Sequence, residues 1–139
     1  MQIQPYLFFE GRCQEALDFY QKTLGAEVVF NMTFGQSPDP TMCAPGMEDK
    51  VMHAEFKVDA TTIMASDGRC QAPAKFQGFS LSISVPNSDK AEELFDALGE
   101  GGEVQMPLME TFYSPKFGMV ADKFGVSWMV IVPGEKPEA

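Results

Sequence analysis

The sequence has one histidine and three cysteines in 139 residues, and each scarcity limits the chemistry open to it. The lone His53 leaves at most one imidazole for a divalent catalytic site, where two are often used. Cys13, Cys43 and Cys70 are odd in number, widely spaced and without a Cys-x-x-Cys, so neither a disulfide framework nor a zinc knuckle is indicated and free, reduced thiols are expected. No stretch approaches the roughly 20 consecutive apolar residues needed to span a bilayer. The short apolar run at residues 6–9 has no basic residues before it, so no secretory signal is expected and the chain reads as cytoplasmic. Basic residues are few: 10 Lys and Arg stand against 20 Asp and Glu, for a formal charge of -10. That balance offers nothing to phosphates, so neither nucleic acid nor an anionic membrane is expected as a partner.

What is present is a core. Apolar residues make up 45% of the chain and aromatics 12%, enough for one folded domain. The aromatic run 3–9 reads as a buried strand. Ala16, Leu17, Tyr20 and Leu24 then recur at helical spacing up to Gly25, a natural left-handed stop. Residues 26–34 are β-branched and aromatic, hence strand, and residues 35–50 form a proline- and glycine-rich loop. Strict alternation over 51–58, with Met52, Ala54, Phe56 and Val58 on one face and His53, Glu55 and Lys57 on the other, predicts a strand paired to 61–66 across Asp59-Ala60.

After a polar connector the same order returns. Residues 79–85 alternate as a strand, Asp89 with Glu92 suggests a helix cap, and Ala91, Leu94, Phe95 and Leu98 form its apolar stripe. Strands are expected at 103–112, 116–122 and 126–132. The chain thus reads as a single α+β domain: module one at 1–67, a connector at 68–78, module two at 79–132 and a frayed tail at 133–139. Each β-α-β-β-β module is too small to bury a sheet face well alone, so the modules are expected to pair, their curled sheets enclosing a cleft. Gln4 aligns on Ser80, and Ile63-Met64 on Trp128-Met129.

Glu15-Ala16-Leu17-Asp18-Phe19-Tyr20, Val51-Met52-His53-Ala54-Glu55-Phe56, Ile63-Met64-Ala65-Ser66-Asp67 and the segment from Phe117-Gly118-Met119 to Ser127-Trp128-Met129 carry a resemblance. The chain resembles the vicinal oxygen chelate superfamily, which has the glyoxalase/bleomycin resistance/dihydroxybiphenyl dioxygenase fold. Within it the chain is similar to the PhnB-like, or 3-demethylubiquinone methyltransferase-like, branch. The resemblance implies a homodimer and a cleft that, in metal-using members, takes His or Glu ligands at positions matching Gln4 or Pro5, Met64, Ser80 and Met129. None of these is His, Glu or Asp, and two thioethers with a hydroxyl hold Mg²⁺, Mn²⁺ or Zn²⁺ poorly, so no firmly bound catalytic metal and no other cofactor is expected.

The remaining candidates are chemical groups with plainer alternatives. His53 and Glu55 share a strand face about 7 Å along the strand, as a general base and its orienting carboxylate would; a lone strand histidine is more often a hydrogen-bonded structural residue. Gln4, Tyr6, Phe8, Met64, Ser80, Ser82 and Met129 are candidate ligand-binding residues, Met and aromatics suiting a hydrophobic pocket or simply filling space. Ser84 continues the hydroxyl row. Lys116 beside Tyr113, and Arg69, are candidates for meeting an anionic group, or are solvated charges. Cys13 at a helix start is open to mild acidification by the helix dipole. The glycines of residues 98–102 close a helix rather than open one, against a nucleotide loop or an S-adenosylmethionine loop. The favoured reading is a small-molecule-binding protein. The alternatives are a glyoxalase- or dioxygenase-like enzyme using His53 and Glu55 for proton transfer or metal binding, and an interaction subunit with a vestigial cleft.

Overall fold

Where side-chain spacing decides an element, the element forms. The computed structural model describes residues 1–39, 45–70 and 72–134; Cys43 and residues 135–139 of the expected tail lie outside them. The chain divides into two compact units, Met1–Ala74 and Lys75–Ala139.

The first unit holds β1 (Tyr6–Phe8), α1 (Cys13–Leu24), β2 (Glu27–Thr33), β3 (Val51–Val58) and β4 (Thr61–Ser66). Its sheet runs β1-β4-β3-β2, with β1 parallel to β4 and the other pairs antiparallel. The apolar stripe of α1 buries Ala16, Leu17, Phe19 and Tyr20, and Tyr20 stacks on Phe56 with ring centroids 5.6 Å apart. Gly25 ends the helix at φ 66. At the other end Arg12 offers no side-chain cap. The cap comes from far along the chain: buried Asp67 accepts the backbone N–H of Gly11 (2.9 Å) and Cys13 (2.7 Å) on one carboxylate oxygen and that of Val51 (2.7 Å) on the other. A carboxylate at a helix N-terminus satisfies orphan donors and meets the positive end of the helix dipole. The strand expected over 26–34 stops at Thr33, because Thr33 and Gln36 form a capping box that opens a short 3-10 helix, Phe34–Gln36.

The second unit repeats the order with β5 (Leu81–Ser84), α2 (Ser88–Gly99), β6 (Glu103–Thr111), β7 (Ser114–Ala121) and β8 (Ser127–Val132). Its sheet runs β5-β8-β7-β6, again with the first pair parallel. The N-cap of α2 is Asn87, whose side chain accepts the Lys90 N–H at 2.8 Å, rather than the expected Asp89 with Glu92. Ser88 is already helical, so Asp89 falls in the first turn, where its charge meets the helix dipole. Ala91, Leu94, Phe95 and Leu98 are buried against the sheet as their spacing requires. Gly118 on β7 is closely hemmed in: a Cβ would lie 2.8 Å from Cε2 of Phe95 and 3.1 Å from the Cα of Leu108.

Two four-stranded mixed sheets, each with one helix, make an α+β fold, and among the described residues no sheet closes into a barrel. Among those residues no helix is long and apolar enough to cross a membrane.

Candidate functional site

Each sheet has one face against its helix and one face without it, and the strand register aligns a transverse row on the helix-free face. In the first unit the row is Tyr6, Met64, Glu55 and Phe30, on β1, β4, β3 and β2. In the second it is Ser82, Met129, Met119 and Met106, on β5, β8, β7 and β6.

Beside the first row stands His53, two residues from Glu55. Its Nε2 lies 3.2 Å from Oε2 of Glu55 and its Nδ1 2.7 Å from the Tyr6 hydroxyl. A carboxylate only accepts, so Nε2 carries a proton; in the neutral ring Nδ1 is then an acceptor and Tyr6 donates to it. Burial pushes the Tyr6 phenol above its ordinary range, which the bond with Ser66 opposes and the nearby acidic groups Cys13 and Glu55 reinforce. The phenol therefore stays a proton donor. Tyr6 stacks on Phe8 at 4.9 Å, and Phe30 lies 5.8 Å from the imidazole. Met64 is half-buried in the row; Gln4, half-buried too, precedes β1. The His53–Glu55 pairing was legible from strand alternation. The Tyr6 and Phe30 contacts, set by pairing across the sheet, were not.

In the second unit a concavity of about 600 Å³ is lined by Phe76, Phe79, Ser80, Gln105, Met119, Ser127 and Met129. Ser127 Oγ donates to Gln105 Oε1 at 2.7 Å, so the hydrogen in its 2.8 Å contact with Ser80 comes from Ser80. The chain Ser80, Ser127, Gln105 thus has one direction and leaves the Gln105 amide N–H groups and the Ser80 lone pairs for a guest. Of the expected residues Ser80 and Met129 line this concavity. Ser82 is exposed on β5 opposite Met129 and does not line it.

Two expectations are corrected, those for Lys116 and Cys13, and both readings of Arg69 stand. Lys116 is an ion-pair partner of Glu92 on α2, at 2.9 Å, so its charge is matched on the helix side. Arg69 is exposed in the connector. Cys13 is fully buried, and burial together with the Asp67 charge pushes its thiol up rather than down; the same two causes raise Cys70.

The groups present do not fit a hard catalytic cation. Met64, Ser80 and Met129 stand where the resemblance implies ligands, and thioethers hold such ions poorly. Among the described residues no group of three or more His, Cys, Asp or Glu could hold a metal. His53 already spends both ring nitrogens on Tyr6 and Glu55.

The sequence profile of the 3-demethylubiquinone-9 3-methyltransferase family matches residues 1–131. The chain belongs to this family. A member-like relative, the protein YjdN of Escherichia coli K12, is 35% identical over 145 residues, covering 99% of each chain. The crystal structure of protein PA1353 from Pseudomonas aeruginosa is 42% identical, with a TM-score of 0.86, covering 97% of this chain and 99% of that one. The PhnB protein of Bacillus cereus, which carries the family's methyltransferase name, is 29% identical, with a TM-score of 0.80, covering 95% and 99%. In fold alone the chain is similar to the fosfomycin resistance protein FosX of Listeria monocytogenes, 10% identical with a TM-score of 0.66 over 96% and 93%. It is likewise similar to a glyoxalase/bleomycin resistance protein/dioxygenase family enzyme of Burkholderia phytofirmans, 11% identical at 0.61 over 95% and 96%. The chain is thus a member of this PhnB-like family, with a fold shared by glyoxalase/bleomycin resistance proteins.

The methyl donor implied by the 3-demethylubiquinone-9 3-methyltransferase name, S-adenosylmethionine, is not matched by a glycine loop opening either helix. Gly11 and Cys13, at the start of α1, have their N–H groups on Asp67, and α2 starts on Asn87. Gly99, Gly101 and Gly102 lie at the end of α2 or beyond it.

Proposed function

We propose that this PhnB-like chain is a small-molecule-binding protein that works without a firmly bound catalytic metal. The carrying observation is the concavity beside Met119 and Met129, whose volume of about 600 Å³ falls within the usual size of small-molecule sites. Phe76, Phe79 and the two thioethers favour an apolar body, and the Ser80–Ser127–Gln105 chain favours a ligand with a hydrogen-bond acceptor for the Gln105 amide. The net charge of -10 favours neutral or cationic ligands over anionic ones.

The test is a fragment screen of neutral and cationic aromatic amides against protein carrying ¹³C-labelled methionine methyl groups. Binders that move the Met119 and Met129 resonances, and lose affinity in Gln105→Leu, support the reading. Binders that leave both resonances unmoved, or no binders at all, retire it. A homodimer belongs to the same proposal; a monomer by sedimentation equilibrium would remove that part.

The hydrogen-bonded set Tyr6, His53 and Glu55 favours a second reading, a proton-transfer enzyme. Glu55 orients the imidazole, His53 Nδ1 takes the Tyr6 hydroxyl proton as the Tyr6 oxygen removes the substrate's proton, and the same relay run backwards returns a proton to the substrate. In D₂O, exchange of the proton next to the carbonyl of an α-hydroxy ketone, catalysed by the protein and abolished in His53→Gln, would support it. Absence of exchange with ketone and aldehyde probes would retire it.

A further inference from the structure

We propose that Met106, Met119 and Met129 form a thioether site for a soft monovalent cation of the Cu(I) type. The inference stands apart from the small-molecule reading, since a metal ion needs the three sulfurs and not the polar chain.

Register carries the proposal. Met119 is paired directly with Met129 on β8 and with Met106 on β6, so the three side chains leave adjacent strands at matched positions on one face. Directly opposed residues have Cα atoms about 4.5–5.5 Å apart. Unbranched thioether side chains starting from such positions can converge on one ion above the central Met119.

An irregularity in β6 makes the row. Val104 pairs with Val120, and continued regular pairing would set Gln105 opposite Met119. The register shifts there instead, bringing Met106 opposite Met119, while Gln105 reaches across to Ser127. A bulge that re-aims a side chain in this way is a recurrent feature beside functional sites.

Packing does not account for the row. Met106 is 38% exposed, Met119 and Met129 are half-buried, and the core of this unit is filled from the opposite face by Val120, Trp128 and Val130. A strand face that only needed covering would be better served by β-branched residues than by three methionines. Thioethers select Cu(I) and discriminate against Mg²⁺, the opposite preference from a site of carboxylates and water. The charge of -10 raises the local concentration of any cation.

Silver(I), supplied as the nitrate, is the probe, a redox-inert stand-in for Cu(I). It is titrated into protein carrying Cys43→Ser and Cys70→Ser, so that reactive thiols do not capture the ion, with all ten methionine methyl groups labelled with ¹³C. The expected result is joint movement of the Met106, Met119 and Met129 resonances, saturating at one equivalent, with the other methionines still. Met119→Leu, which keeps the volume, should abolish the step, whereas Met64→Leu should leave it intact. Should Met119→Leu fail to fold, Met106→Leu at the exposed end of the row serves in its place. Movement of a single methyl, movement spread over methionines outside the row, no movement at one equivalent, or a response indifferent to loss of a row methionine each overturns the proposal.

Discussion

The hydroxyl of Tyr6 sits 2.7 Å from Nδ1 of His53, joining two residues 47 positions apart across three strands of one sheet. Because Glu55 claims the other ring nitrogen, the arrangement dictates which tautomer the neutral imidazole adopts. His53 is the only histidine in the chain, so ¹⁵N spectroscopy of the imidazole reports on it without ambiguity. The neutral ring should be the Nε2–H form, and Glu55→Leu should raise the fraction of the other tautomer. An Nδ1–H ring in the unmodified protein would contradict the bonding described.

Asp67→Asn should destabilise the fold by about 3 kcal/mol, measured by urea unfolding. Asp67 is 1% exposed and accepts three backbone N–H groups. An amide presents one acceptor oxygen and one donor nitrogen, so at least one N–H faces another donor, and a buried group left without a partner costs about 1–3 kcal/mol, more where a charge was involved. A loss below about 0.5 kcal/mol, the range of ordinary surface changes, would show that this carboxylate is not the tie between α1, β3 and β4.

Gly118→Ala should cost about 1–3 kcal/mol, the usual penalty of overpacking. The new methyl would press on the ring of Phe95 and on the backbone of Leu108. Thermal unfolding checks this, and an unchanged midpoint would mean that α2 yields more readily than its packing implies.

Cys13 should make stability fall as pH rises past the ordinary thiol range. Its folded thiol is held protonated above that range by burial and by Asp67, whereas the unfolded chain releases the proton. The folded state then binds more protons than the unfolded one, so this contribution is complete below the unfolded thiol pKa and fades as pH climbs toward the folded one. Cys13→Ala should flatten the alkaline slope of the unfolding free energy, and Cys13 should resist alkylation at neutral pH. Rapid labelling there would refute the burial.

Local spacing made much of this molecule legible. The buried stripes of α1 and α2, the β3–β4 hairpin and the left-handed stop at Gly25 follow from periods of 3.6 and 2 and from glycine's tolerance of positive φ. His53 and Glu55 were visible together because they are two residues apart on one strand. What escaped was set by pairing between distant segments. Asp67 ties groups at positions 11, 13 and 51, Tyr6 reaches position 53, and Gln105 reaches position 127. A register shift inside β6 has no local signature in Val104-Gln105-Met106, so neither the polar chain nor the methionine row could be read before the strands were paired.

The outermost position of β6 in its sheet carries a hazard that its irregularities answer. An outer strand offers unpaired backbone groups, and the exposed Val104, Met106 and Met109 would make this one adhesive to another chain. Pro107 removes a donor midway along it, and the register breaks between Val104 and Met106, between Met106 and Met109, and between Met109 and Thr111. No uninterrupted ladder remains on which a foreign strand could template itself, so the chain can keep apolar side chains on this rim without inviting runaway self-association.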